Sequence, residues 1–337
     1  LDILFAVVSA ASALYIVVNY QELVLRAGMN NETDFIVGMV GTFMVFEAAR
    51  RVVGWPMITV AFFFMVYAFF GPYVPGILAH RGVQVQEMFD HLFFTTEGIF
   101  GTPMGVSSTF IYLFILFGAY LETTGLGKFF IDIANAIAGW AAGGPAKVAV
   151  LSSGLMGTVS GSSVGNVAGT GAFTIPMMKK LGYRPEFAGA VEAAASTGGQ
   201  LMPPVMGAAA FLMAEFVGVP YFDVVKAAVI PALLYYIGVW LGVHYEAKKY
   251  DLKGTPREEL PSFKKLFVEK GHLALPLIVI VYLLVSGFTP MRAALAAILL
   301  SIVCASLRAS TRITFKQGVQ GLIDGSMGVL GVLIACA

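Results

Sequence analysis

Apolar runs separated by short polar or charged punctuation recur along the whole chain. Ile3–Val18, Phe35–Ala49, Val52–Tyr73, Met104–Leu121, Phe222–His244, Leu273–Ser286, Ala293–Leu307 and Gly318–Ala337 each read as an apolar helical segment. A spanning helix needs about 20 such residues, and several of these runs approach that length. Phe35–Ala49 is short, carries Glu47 and is followed by Arg50-Arg51; Val52–Tyr73 is closed by Pro72, Pro75 and Gly76. Two segments have a different pattern. Arg81–Thr96 mixes polar and apolar positions and is expected at an interface. Lys128–Trp140 is amphipathic and too short to span, with Asp132 and Asn135 among apolar residues, so it is expected along the membrane surface. Asn19–Asp34 reads as a polar loop and Glu246–Lys270 as a long hydrophilic one.

Two further apolar stretches are interrupted. The first is Val148–Met178, 31 residues without a charge between Lys147 and Lys179. That is too long for one span and too short for two, which need about 40 residues plus a loop. Its flanks are basic on both sides, at Lys147 and at Lys179, Lys180 and Arg184. Two half-helices that enter and leave by one face fit this pattern, a re-entrant hairpin over about 145–180 with its tip at Ser160-Gly161-Ser162-Ser163, followed by Asn166. A competing reading uses Gly157, Gly161, Gly165 and Gly169, which on a continuous helix would form one small-residue packing ridge. The Ser-rich tip, the matched flanks and the length favour the hairpin. The second interrupted stretch runs over about 186–216. Ser196-Thr197-Gly198-Gly199 divides it, and Pro203-Pro204 follows as a hinge. Proline removes a backbone donor and clashes with the preceding turn, so a broken helix is expected, with Met206–Phe216 as its second half.

Composition fixes the class. The chain has 337 residues, 58% hydrophobic and 12% charged, with mean hydropathy +0.82. These values lie far outside soluble composition and predict an all-α polytopic membrane protein. The net charge of +1 gives no sign of nucleic-acid binding. The placement of the basic residues is informative. If the spans alternate and the hairpin returns to its own side, 17 of the 21 Lys and Arg fall in one set of loops: Arg50–Arg51, Glu122–Pro185, Glu246–Lys270 and Arg308–Lys316. Only Arg26, Arg81, Lys226 and Arg292 lie on the other side. The rich side is therefore cytoplasmic. A single crossing by Val148–Met178 would destroy this bias. The run GVLGVLIACA ends inside an apolar stretch, so the chain reads as part of a longer polypeptide.

Interrupted hydrophobic elements are the best sequence pointer to a transporter's midplane site. Together the two breaks offer Ser160, Gly161, Ser162, Ser163 and Asn166, with Ser196, Thr197, Gly198 and Gly199. This set supplies hydroxyls, a carboxamide and free carbonyls, which suit Na⁺ and a polar or anionic solute. No transition-metal site is expected, because His80, His91, His244 and His272 lie in loops or at span edges without Cys or acid at ligand spacing. Cys304 and Cys336 read as packed small hydrophobes. Glu192 is expected near the cytoplasmic edge, one and a half turns after Glu186, and Glu47 and Glu215 at span ends. An acid in a span is a functional candidate by default, and the three end positions weaken that inference. No catalytic residue, organic cofactor, Walker loop or nucleophile elbow is evident, so an enzyme is not expected.

The stretches SGSSVGNVAGTGAFTIPMMKKLGYRPEF (Ser160–Phe187) and STGGQLMPPV (Ser196–Val205) resemble the large membrane subunit of tripartite ATP-independent periplasmic (TRAP) transporters. More closely, they resemble fused permeases that work with TAXI-type binding proteins. The resemblance covers roughly Met104–Ala337. It implies an elevator-type, Na⁺-coupled importer of organic acids in a bacterial or archaeal cytoplasmic membrane, with a periplasmic TAXI-type binding protein as partner. It also implies that Ser160–Ser163, Asn166 and Thr197–Gly199 lie at one sodium site and beside the solute. In this reading residues 1–103 are accessory helices, 104–245 the first inverted repeat, 246–270 a cytoplasmic loop and 271–337 the start of the second repeat. The remainder of that repeat, with its own sodium site, would come from the same polypeptide or a companion chain. The alternative is a symporter for dicarboxylates or similar anions that needs no binding protein and is coupled to Na⁺ or H⁺.

Overall fold

The computed structural model describes residues 2–26, 28–308 and 311–337, and these are helical with no strand. Among them, five stretches are long and apolar enough to cross a membrane: Trp55–Tyr73, Thr102–Thr123, Tyr221–Lys249, Arg257–Val285 and Phe315–Cys336. Asp2–Val18, Ala208–Val217 and Pro290–Ser306 are shorter apolar helices. The protein is an all-α polytopic membrane protein. It divides into two compact units, one taking in the chain up to Ser108 together with Val329–Ala337, the other Thr109–Gly328.

The first unit holds α1 (Asp2–Val18), α2 (Tyr20–Leu25), α3 (Glu32–Val52), α4 (Trp55–Phe70) and α5 (Val85–Phe94). The expected polar loop Asn19–Asp34 therefore contains α2 and the first turn of α3. The cause is local: Asn31 and Asp34 form a capping box that fixes the start of α3. Asp34 is fully buried and also accepts hydrogen bonds from the Tyr15 hydroxyl (2.7 Å) and Arg26 Nη2 (2.9 Å), tying α1 to α3. The expected span Val52–Tyr73 starts later, because Gly54 turns the chain at φ +98° and α4 opens with Pro56 in its first turn. α3 and α5 approach closely at Gly41, where a Cβ would lie 2.1 Å from the Phe93 ring.

After α6 (Thr102–Val106), the chain enters the second unit within a π-helical turn at Ser107–Ile111. It holds α7 (Tyr112–Thr123), α8 (Leu126–Ala138), α9 (Gly144–Ser160), α10 (Ser163–Lys180), α11 (Pro185–Gly198), α12 (Ala208–Val217), α13 (Tyr221–Lys249), α14 (Phe263–Lys270), α15 (Leu275–Val285) and α16 (Pro290–Ser306). Part of α17 (Phe315–Cys336) completes it. α9 and α10 fold back on each other, and α11 and α13 pack against them. Their shared core is built largely from small residues, with Ala146, Ala149, Ala188, Ala195 and Ala247 fully buried. Small side chains let helix backbones approach, which is how membrane helices gain packing energy without a hydrophobic drive. The amphipathic α8 lies on α9 and buries Phe129, Phe130 and Ala134, while Asp132 pairs with Lys270 at 3.3 Å. The segment after α13 straps back: Gly143 N–H donates to Leu252 O at 2.9 Å and Thr255 N–H to Gly139 O at 2.8 Å.

Candidate functional site

The first break spans two residues, Gly161 and Ser162. α9 ends at Ser160, Gly161 adopts φ +58°, and α10 begins after Ser162. Only glycine enters the left-handed region without cost, and here a Cβ would also lie 2.1 Å from the Met206 carbonyl oxygen. The glycine ridge is therefore not one continuous face. Gly157 lies on α9, Gly161 turns the chain, and Gly165 and Gly169 lie on α10.

The second break is longer. α11 ends at Gly198 and α12 starts at Ala208, with a cis bond between Pro203 and Pro204 and Met206 at φ +57° in between. Ser196 and Thr197 are thus in the last helical turn, and the interruption proper lies at 199–207. α13 supplies the polar groups that this irregular backbone requires. Tyr236 Oη donates to Ala195 O (2.9 Å) and Tyr235 Oη to Ala194 O (2.7 Å), beside the end of α11. Tyr221 Oη lies within hydrogen-bond distance of Pro204 O (2.9 Å) and Val205 O (2.5 Å). A helix end or break away from water needs such partners.

The two breaks meet. A Cβ on Gly157 would lie 2.4 Å from the Cα of Gly199, and one on Gly199 would lie 3.0 Å from Asn166 Nδ2. Asn166 is fully buried, and its Nδ2 donates to Ser153 O at 2.8 Å. Its Oδ1 and the Oγ of Ser160 are buried atoms without a hydrogen-bond partner. The other sequence candidates are placed differently. Ser162 is exposed and caps α10, accepting from Gly165 N–H at 3.2 Å. Ser163 Oγ accepts from Gln200 Nε2 at 3.1 Å, linking the two breaks at an exposed edge. Thr197 is exposed and donates to Ala193 O at 2.8 Å, within its own helix. Gly198 packs against the rings of Tyr235 and Tyr236.

Glu192 is the most heavily partnered of the acids in the apolar segments. It is fully buried within the unit. Its Oε1 accepts from Ser153 (3.1 Å), Thr170 (2.5 Å) and Ser196 (3.0 Å), and its Oε2 from Thr174 (2.5 Å). The carboxyl thus joins α9, α10 and α11. Ser153, Thr170, Thr174 and Gln200 were absent from the sequence candidates. A usable signal was present, since Thr170 and Thr174 are one helical turn apart on α10, as are Glu192 and Ser196 on α11. Lys147, also buried, turns away from this cage to His244 Nδ1 (3.1 Å) and the Trp240 ring. At the foot of the hairpin, burial and then the charge of Glu246 push the Tyr183 hydroxyl up to about 12. Among the described residues no three His, Cys, Asp or Glu side chains cluster as metal ligands.

Comparison with known proteins places the chain in a family. Residues 40–337 match the family model for the "Tripartite ATP-independent periplasmic transporter, DctM component". Its relatives include the C4-dicarboxylate TRAP transporter large permease protein DctM of Pseudomonas aeruginosa, 32% identical over 191 residues, covering 56% of this chain and 44% of the relative. The sialic acid TRAP transporter large permease protein SiaM of Vibrio cholerae is 27% identical over 185 residues, 54% of this chain and 42% of that protein. The uncharacterized protein YgiK of Salmonella typhimurium is 24% identical over 234 residues, 67% of this chain and 52% of that protein. The chain spans about half the length of the curated relatives it matches.

Proposed function

Because the chain belongs to the tripartite ATP-independent periplasmic transporter family, as a DctM component of the cytoplasmic membrane, we propose that it forms the core of a secondary importer for organic acids. A Na⁺ gradient drives uptake, and a periplasmic binding protein of the TAXI type delivers the solute. The observation that carries this reading is the pair of buried, partnerless oxygens, Ser160 Oγ and Asn166 Oδ1, where two helix breaks meet. Orphaned oxygens at such a junction fit a small hard cation, which takes oxygen ligands. Asn166, Ser160 and carbonyls of the 199–207 break would hold Na⁺. The ion supplies a positive field beside the solute, which matters because no Lys or Arg lies in either break.

The solute class rests on the relatives. Two carry the names of a C4-dicarboxylate and a sialic acid transporter, and both solutes are carboxylic acids. The start of α10 at Ser163, beside the Na⁺ position, offers amide N–H groups to a carboxylate. In the same reading 104–245 is the first inverted repeat and 271–337 opens the second, residues 1–103 are accessory helices, and the hairpin moves with the broken helix as an elevator.

The test is uptake of a ¹⁴C-labelled dicarboxylate panel by proteoliposomes of the complete permease. Runs with and without an inward Na⁺ gradient are crossed with and without the cognate binding protein. Uptake that requires both supports the proposal. Uptake that requires an ion gradient but no binding protein replaces it with a simple symporter. Uptake indifferent to Na⁺ removes the sodium role of Ser160 and Asn166.

A further inference from the structure

Lys147 lies near the start of α9 and is buried, only 5% exposed. It has no acid within ion-pair distance among the described residues, since the ion pairs there use other cations. Its Nζ donates to His244 Nδ1 at 3.1 Å and lies 5.4 Å from the centroid of the Trp240 ring, and neither group carries a negative charge. The surroundings add positive charge. Lys248 stands one turn beyond His244 on α13 and is exposed. The acids on the neighbouring elements turn elsewhere. Glu246 pairs with Arg184, Asp132 on α8 pairs with Lys270, Glu192 on α11 is held by hydroxyls, and Asp251 is exposed in the strap. Buried charges are ordinarily paired, so an ammonium in this position calls for an anion.

An apolar groove begins at the same place. α9 and α13 leave about 360 Å³ between them, lined by Leu151 and Leu155 on one side, by Leu233, Ile237 and Trp240 on the other, and by Met202 of the second break. Trp240 is shared, because its ring both lines the groove and carries the Lys147 ammonium. From there the lining runs away from the charge along both helices, from Val150 to Leu155 on α9 and from Trp240 back to Leu233 on α13. The rim is open on the outer face of α13, where Leu233 is 51% and Ile237 52% exposed on a helix long and apolar enough to cross a membrane. A small anion would leave this apolar surface bare, and a hydrocarbon alone would leave Lys147 unpaired. An acyl chain with an anionic head meets both demands. The site also lies on the side richest in Lys and Arg, the cytoplasmic one. Acidic lipids give that leaflet its negative surface, and basic pockets between membrane helices on that side bind their headgroups.

We propose that one acidic phospholipid occupies this site, with its phosphate against Lys147 and Lys248 and one acyl chain in the groove between α9 and α13. The two lysines offer positive charge at two depths, one buried and one at the surface, which suits a headgroup that enters from the side. The chain fills the gap between the first limb of the hairpin and α13, and the wall it touches includes Met202 in the second break. Lipid composition thereby acts on the packing of the hairpin. The site requires neither the sodium nor the solute assigned above.

Trp240 reports occupancy directly. Its fluorescence is the difference between the complete permease and a Trp240→Phe variant, both in phosphatidylcholine vesicles. Rising fractions of phosphatidylglycerol brominated on one acyl chain are added, with brominated phosphatidylcholine as the control. The brominated phosphatidylglycerol should quench Trp240 at the lower mole fraction. Equal quenching by the two lipids is ordinary bilayer contact and overturns the proposal. Lys147→Met should cut the preference about fivefold, the worth of one basic residue beside an anionic membrane. An unchanged preference rejects the site. If Lys147→Met does not yield monodisperse protein, Lys248→Gln decides on the same terms. Leu151→Phe narrows the groove and should weaken quenching by the brominated chain; undiminished quenching places the chain outside the groove and overturns the proposal. Excess inorganic phosphate at constant ionic strength should leave the preference intact, and loss of the preference would make this a site for free phosphate instead.

Discussion

Gly157 on α9 and Gly199 at the end of α11 touch backbone to backbone: a Cβ added to Gly157 would lie 2.4 Å from the Cα of Gly199. This contact holds the hairpin against the broken helix and brings Asn166 to their junction. Alanine normally stabilises a helix relative to glycine by about 1 kcal/mol. At Gly157 the sign should reverse, because neither backbone can yield, and overpacking costs about 1–3 kcal/mol. Gly157→Ala should lower the thermal midpoint in detergent and abolish uptake. Gly189→Ala on α11, whose Cβ meets nothing within 4 Å, is the control and should be neutral or stabilising. Equal midpoints for the two variants would show that the close contact is not needed.

Asn166 and Ser162, both at the hairpin tip, should separate by burial. Asn166→Ala removes an oxygen that is buried without a partner, and a lost ligand to a charged group is worth about 1.5–3 kcal/mol. The Na⁺ concentration for half-maximal uptake should rise roughly tenfold or more, as that range implies. Ser162→Ala removes an exposed N-cap instead, at about 1 kcal/mol of helix stability. Its effect should appear in melting more than in Na⁺ dependence. A sodium titration on both variants checks this, and the reverse ranking would move the ion away from Asn166.

The helix breaks were legible in the sequence because their causes are local. The Pro203-Pro204 pair interrupts the helical hydrogen-bond ladder, and Gly161 permits the left-handed turn that ends α9. The 31-residue length of Val148–Met178 argued against a single crossing for the same kind of reason, since bilayer thickness is fixed. What lies at the breaks was only half legible. Composition identified the hydroxyl-rich tip, but it could not rank Ser162 against Asn166, because rank depends on which side chain the neighbouring helix covers. The surroundings of Glu192 were illegible for a related reason. Counting residues from Glu186 gave only its place along the helix, whereas the hydroxyls of Ser153, Thr170 and Thr174, 18 to 39 residues away in sequence, enclose it. The threonine pair on α10 gains its meaning only when α11 lies beside it.

Tyr221 should matter through its hydroxyl alone. Its ring stacks on Phe211 at 4.3 Å between centroids, which Phe would preserve. Its oxygen reaches the carbonyls of Pro204 and Val205 in the second break. Tyr221→Phe should therefore cost about 1–3 kcal/mol, the penalty for buried groups left without a partner. The loss should concentrate at 199–207, seen as faster backbone hydrogen exchange there than in α13. Uniform destabilisation of the whole unit would instead point to altered ring packing.

The hairpin makes a topological claim that labelling can settle. α9 and α10 fold back on each other, so the Ala141 turn before α9 and the Leu181 turn after α10 belong on one face. The bias of 17 basic residues in one set of loops makes that face cytoplasmic. The Gly218–Pro220 turn between α12 and α13 then lies outside. In a background with Cys304 and Cys336 replaced by Ala, a membrane-impermeant maleimide should reach Val219→Cys in intact cells. It should reach Ala141→Cys and Leu181→Cys only in inverted vesicles. Labelling of Ala141→Cys and Leu181→Cys from opposite sides would mean that α9 and α10 together cross the membrane. The 31-residue stretch would then be one long crossing, the later loops would exchange sides, and the basic residues would no longer share a face. Uptake by the same single-cysteine variants, run in parallel, confirms that the labelled population is the folded one.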